Sequence, residues 1–116
     1  MEKVDMSYLE ELSGGDAAFI IEMVEIFKDQ VPEFIQGFNT YYENSNWDNL
    51  GKLAHKAKSS VAVVGLNNLA TDLKSIELLS RDVKDVESYA AYIDNFEKVC
   101  NQALIDLDII IKELNE

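Results

Sequence analysis

The chain contains one histidine, His55, and one cysteine, Cys100, so any covalent or metal chemistry must be built on very few side chains. Two-histidine metal motifs and internal disulfides are excluded at once. His55 sits in a stretch, Gly51 to Ser60, that holds Lys52, Lys56 and Lys58 and no acid, a local charge of +3 inside a chain of −12. Lys58 follows His55 by three residues, one helical turn, where its ammonium can stand beside an anion placed on the ring. A neutral imidazole is a competent nucleophile toward phosphorus, and an adjacent cation favours the phosphoryl group once it has been transferred. The positions one turn either side of His55 carry no carboxylate: residues 51, 52, 58 and 59 are Gly, Lys, Lys and Ser. A hydrolytic Ser-His-Asp arrangement therefore has little local support, and only another helix could supply an acidic partner. Cys100 falls on an apolar stripe, as an inert core thiol does. Gly-rich phosphate loops are absent. The carboxylates look dispersed over a solvated exterior rather than grouped as a pair or a calcium loop.

The segment that carries His55 reads as an amphipathic helix, capped by Asn46 or Asp48 and running to Gly65. Placed at 100° intervals, Leu50, Leu53, Ala54, Ala57, Val61 and Val64 share one direction and point to a core. His55 falls on the opposite side with Lys52, Ser59, Ala62 and Val63, so the sole histidine is expected at the surface. Ser59, Ala62 and Val63 are small or apolar where a solvated face usually carries Glu, Lys or Gln. With Lys52 and Lys56 beside them, they suggest a docking surface for another protein. The competing reading is an ordinary exposed histidine with no role.

Apolar residues recur at three and four along the whole chain, which predicts an all-α protein. A short helix over Tyr8 to Leu12 stops at Gly14-Gly15, and Asp16 caps the next helix. The stripe Ile20, Met23, Val24, Phe27, Val31, Phe34, Ile35 and Phe38 runs across Pro32, where the helix must kink or restart. Leu66 to Leu79 mark a fourth helix ending near Arg81-Asp82. The last segment carries a stripe from Val86 to Leu114. That stripe could form a coiled-coil seam, but an intramolecular bundle covers it more simply.

With 116 residues, 47% of them hydrophobic, the chain can remove roughly two-thirds of its extended surface from water as one domain over residues 1–116. Its acidity opposes nucleic acid and anionic membranes. Neither a membrane span nor an apolar leader is visible, so a cytoplasmic monomer is expected.

Leu53-Ala54-His55-Lys56-Ala57-Lys58-Ser59-Ser60, followed by Gly65-Leu66-Asn67-Asn68-Leu69 and by Ile76-Glu77, resembles the signature of histidine-containing phosphotransfer (HPt) domains. That signature is Ala-His-x-x-Lys-Gly with another Gly ten residues after the His and then a Leu-rich helix. Upstream, Leu12-Ser13-Gly14-Gly15-Asp16 through Phe27 and Pro32 is similar to the family's lead-in, so the resemblance covers nearly the whole chain. It implies an antiparallel up-down four-helix bundle with a short additional N-terminal helix. It also implies relay of a phosphoryl group between receiver-domain aspartates and His55 in two-component signal transduction, without ATP-binding or autokinase motifs. His55 would be the phosphoacceptor, Lys58 the charge-stabilising neighbour, and Gly65 the break after the site helix. Implied partners are response-regulator receiver domains, with a hybrid sensor histidine kinase as a further candidate. The chain itself would need no cofactor, Mg²⁺ being expected only on the receiver. Ser59 and Ala62 stand where the family often has Gly, and Ser59 could add a hydrogen bond to the ring or the phosphoryl group. Two other classes compete: an adaptor bundle with His55 incidental, and a small hydrolase or phosphohistidine phosphatase.

Overall fold

The computed structural model describes residues 1–116 and contains five α-helices and no strand. They are α1 (Ser7–Ser13), α2 (Ala17–Glu43), α3 (Trp47–Val63), α4 (Asn67–Arg81) and α5 (Tyr89–Leu114), the last preceded by a single 3₁₀ turn over Val86–Ser88. Three-residue connections join α2 to α3 and α3 to α4, and short links of this kind force neighbouring helices to run antiparallel. α2 packs on α3, α3 on α4, α4 on α5 and α5 back on α2, which closes an up-down four-helix bundle. α1 lies outside it, against α2.

Local sequence explains where the helices begin and end. Asp16 caps α2 by accepting from the Ala18 amide at 3.0 Å, and of the two candidates for α3 it is Asn46 that serves, accepting from Asn49. α3 ends in a paired turn in which the Leu66 amide reaches the Val61 carbonyl and the Gly65 amide that of Ala62, with Gly65 at φ +79°. That left-handed position favours glycine because it has no Cβ. α4 ends in the same pairing, Lys84 to Leu79 and Val83 to Ser80, but here the left-handed residue is Val83 at φ +52°. A β-branched residue in that region is strained.

Pro32 neither ends nor restarts a helix, since α2 is continuous from Ala17 to Glu43. An interior proline costs about 3 kcal/mol. Burial of Ile20, Val24 and Phe27 before it and Phe34 and Phe38 after it offsets that cost. Phe96 of α5 meets Phe38 edge-on at 5.0 Å and Phe34 at 6.4 Å between ring centres. The α5 stripe of Ile93, Phe96, Cys100, Ala103 and Leu107 is buried in the same core, so the bundle itself covers this face. Burial pushes the Cys100 thiol up to about 12, which keeps it protonated and inert.

An extended N-terminal segment locks the α3–α4 turn. The Glu2 carboxylate accepts from the amides of Asn68 and Leu69 at 2.7 and 2.8 Å, capping α4, whose own N-cap residue is Leu66. The Asp5 amide donates to the Val64 carbonyl, and its backbone lies so close to Gly65 that a Cβ there would overlap it. Gly65→Ala therefore faces both an unfavourable φ and a clash, and is expected to lose at least about 1–2 kcal/mol. Val83→Gly relieves strain at an open position and is expected to gain about 0.5–1 kcal/mol after the larger unfolded-state entropy of glycine is included. Urea unfolding of the two variants checks the opposite signs.

Candidate functional site

α3 and α4 approach closely because their contact face is made of small side chains. Ala54 and Ala57 are fully buried, and a Cβ on Gly51 would stand 2.5 Å from the Ser80 hydroxyl of α4. At this separation a side chain from α4 can reach across to the outer edge of α3. Glu77 does so: its Oε2 lies 2.9 Å from Nδ1 of His55 and its Oε1 3.3 Å from Nζ of Lys58. Arg81, one turn further along α4, makes a longer contact of 3.5 Å to the same Oε2. The Glu77 side chain is only 9% exposed, whereas that of His55 is 67% exposed.

The expectation that the carboxylates are all dispersed on the exterior is therefore corrected. One of them is buried and forms the centre of the site. A signal for it was present in the α4 pattern: Leu69, Leu73, Ile76 and Ser80 are buried, and position 77 falls on that same face. A buried acid needs hydrogen-bonded partners to hold it, and the cations of Lys58 and Arg81 and the ring N–H of His55 are those partners.

The electrostatics reflect this arrangement. Burial pushes the Glu77 carboxyl up, and that is the largest single influence on it. Hydrogen bonds and charges from Lys58 and His55 together outweigh it, so the group sits below the ordinary carboxylate value of 4.5 and stays ionised at neutral pH. A carboxylate only accepts, so Nδ1 of His55 must be the donor in the 2.9 Å bond. The lone pair of a neutral ring is then on Nε2, at the opposite side of the imidazole from Glu77. With Lys58, Arg81 and Glu77 the cluster carries a net +1 beside that nitrogen, suited to an incoming anion.

The remaining expected residues divide between two surfaces. Lys52 lies with His55, Glu77, Arg81 and Val83 in an open cleft between α3 and the end of α4, paired to Asp48 at 3.0 Å. Ser59, Ala62 and Val63 line a second groove whose other wall is Asp5, Tyr8 and Glu11. Ser59 is exposed, as expected, but Ala62 and Val63 are half-buried, and Val63 packs partly against the core. Lys56 is exposed and makes no ion pair. No three His, Cys, Asp or Glu side chains come together as a metal-ligand set.

A family model described as the Hpt domain matches residues 22–114. The chain belongs to the Hpt domain family. Neither a curated protein nor a solved structure matches it. Hpt domains are phosphotransfer carriers that work through a histidine in phosphorelays, with receiver domains and kinases as partners. The matched span contains His55, Lys58, Glu77 and Arg81, so the whole cluster lies on the Hpt bundle. α1 and the N-terminal segment precede the match. No helix is long and apolar enough to cross a membrane.

The lowered Glu77 carboxyl fixes the sign of a pH effect. A depressed folded-state value adds stability that is fully present above the unfolded value near 4.5 and is lost as pH falls through the lower folded value. Urea midpoints of the native chain should therefore fall as pH drops below about 4.5, and Glu77→Gln should remove that part of the fall. Parallel pH profiles for the two proteins would show that Glu77 contributes no such linkage.

Proposed function

We propose that His55 is the phosphoacceptor of this Hpt domain and relays a phosphoryl group between receiver-domain aspartates. The observation that carries this reading is the His55–Glu77 pair: an exposed ring, held from behind, whose Nε2 is available for attack. In uptake, the Nε2 lone pair forms a bond to phosphorus while the bond from phosphorus to the donor's aspartyl oxygen breaks. That oxygen departs with the electron pair as a carboxylate. Lys58 stands on the same face of α3 and supplies positive charge to the group held on the ring. Mg²⁺ would be brought by the receiver, and this chain would act as a monomeric, cytoplasmic carrier without kinase chemistry of its own.

On this reading the receiver sits over His55 and along the groove lined by Ser59, Ala62 and Val63 of α3, one and two turns from the ring, with Tyr8 of α1 on the facing wall. Small side chains there let a partner helix come close, and the half-exposed Tyr8 adds apolar area. Lys52, in the cleft beside His55, and the exposed Lys56 would meet the acidic pocket from which a phospho-aspartate is presented.

Two variants test the reading. His55→Gln is expected to abolish the acid-labile label acquired from a phosphorylated receiver, and full labelling of that variant would contradict the assignment. Ala62→Glu puts charge and bulk into the groove at a half-buried surface position. It is expected to weaken receiver binding by about tenfold or more, as a misplaced charge in an interface does, with the thermal midpoint nearly unchanged. Unchanged affinity in a calorimetric titration would move the docking surface elsewhere.

A further inference from the structure

Residues 1–13 form an arm that is fixed to the bundle at several points. The Glu2 carboxylate holds the amides of Asn68 and Leu69, the Asp5 amide donates to the Val64 carbonyl, and Leu9 of α1 is fully buried. The arm is therefore a preformed wall beside the C-terminal half of α3, and it precedes the span matched by the family model. Asp5, Tyr8 and Glu11 of the arm close a groove on one side of α3, while Met23, Ile26 and Phe27 of α2 close a second groove on the other side. Ser59 and Val63 line both, so the two grooves share a low ridge of small side chains.

The two walls differ in character. No charged residue lines the α2 groove, and Ile26 there is 44% exposed. The arm wall carries two acids, and no lysine or arginine lines its groove. Oδ1 of Asp5 accepts from the hydroxyl and the amide of Ser7 at 2.6 and 2.9 Å, which fixes the side chain and holds its carboxyl below the ordinary value of 3.8. Glu11 is exposed, and none of the chain's ion pairs involves either acid. The cations of the site gather instead around the ring, Lys58 and Arg81 on Glu77 and Lys52 in the cleft beside it. Eight residues of helix from His55 to Val63 span roughly 12 Å. The face is thus positive at the histidine and negative one to two turns further along α3.

We propose that the arm wall selects the partner: the ridge takes an amphipathic helix of the receiver, whose apolar side meets Met23 and Ile26 and whose other side carries a lysine or arginine opposite Asp5 and Glu11. The inference rests on the relay reading and names the feature by which this domain distinguishes one receiver from another. An apolar contact alone accepts any helix of suitable size. Two fixed carboxylates repel a receiver with an acid at that place and favour one with a cation there. The bipolar face also sets orientation, because the receiver's acidic pocket must lie over the cations around His55 while its basic side lies against the arm.

The test measures transfer to the full-length chain from receiver domains of the same organism, phosphorylated with acetyl phosphate, and takes the receiver with the lowest KM as the probe. Glu11→Gln is expected to raise KM about two- to fivefold, the scale of one exposed ion pair. Glu11→Lys turns attraction into repulsion and is expected to raise it about tenfold or more, with kcat nearly unchanged in both. Replacing, one at a time, each lysine and arginine of the probe's docking helix by glutamate should identify one change that lowers KM for Glu11→Lys while raising it for the native chain. A merely structural role of Glu11 would not produce that reversal. Unchanged KM in both variants, or no receiver substitution that reverses the Glu11→Lys defect, would overturn the proposal and leave the relay reading standing. Should Glu11→Lys not fold, the KM of Glu11→Gln decides by itself. If phosphoramidate labels His55 but no phosphorylated receiver labels the native chain, the relay reading fails and this proposal falls with it.

Discussion

A single buried carboxylate organises this molecule's surface chemistry. Glu77 lies at the face between α3 and α4, and its two oxygens hold His55, Lys58 and Arg81 together. Such a group is expensive to bury and is tolerated only because cations and a ring N–H surround it. Everything that brings α3 and α4 together serves that arrangement. Gly51 leaves room for Ser80, Ala54 and Ala57 keep the helices near each other, and Gly65 turns the chain between them. Removing any one would not touch the histidine, yet each would shift the carboxylate relative to it.

The same geometry separates two jobs that a lone surface histidine cannot do by itself. An exposed imidazole is free to meet a partner, but it samples rotamers and both tautomers. Anchoring Nδ1 from below fixes both without covering Nε2. Nε2 of the exposed ring is thus presented on a rigid helix, with the ring proton on the far nitrogen. The positive balance of the cluster and the acidic remainder of the chain act together. The local balance of the cluster is positive, against a formal charge of −12 for the whole chain.

Much of this was legible in the residues. The helix wheel of α3 separated Leu50, Ala54, Ala57 and Val61 from His55 because burial tracks the 3.6-residue period, and the structure buries those four and exposes the histidine. Asp16, Gly14 and Gly65 marked helix ends through requirements that are local to the chain. Pro32 was ambiguous because its local cost and the stripe on both sides argue in opposite directions, and packing in the core decided for one continuous helix. Glu77 was harder to read. It is 22 residues from His55, and the contact exists only once α4 lies against α3. The Glu2 cap on α4 is more remote still, joining residues 66 and 67 positions apart, and no periodicity encodes it.

The most direct measurement of the central claim is which ring nitrogen takes the phosphorus. ³¹P and ¹⁵N NMR of the chain after transfer from a phosphorylated receiver should show phosphorus on Nε2 of His55 and hydrogen on Nδ1. Phosphorus on Nδ1, or on any residue other than His55, would contradict the account.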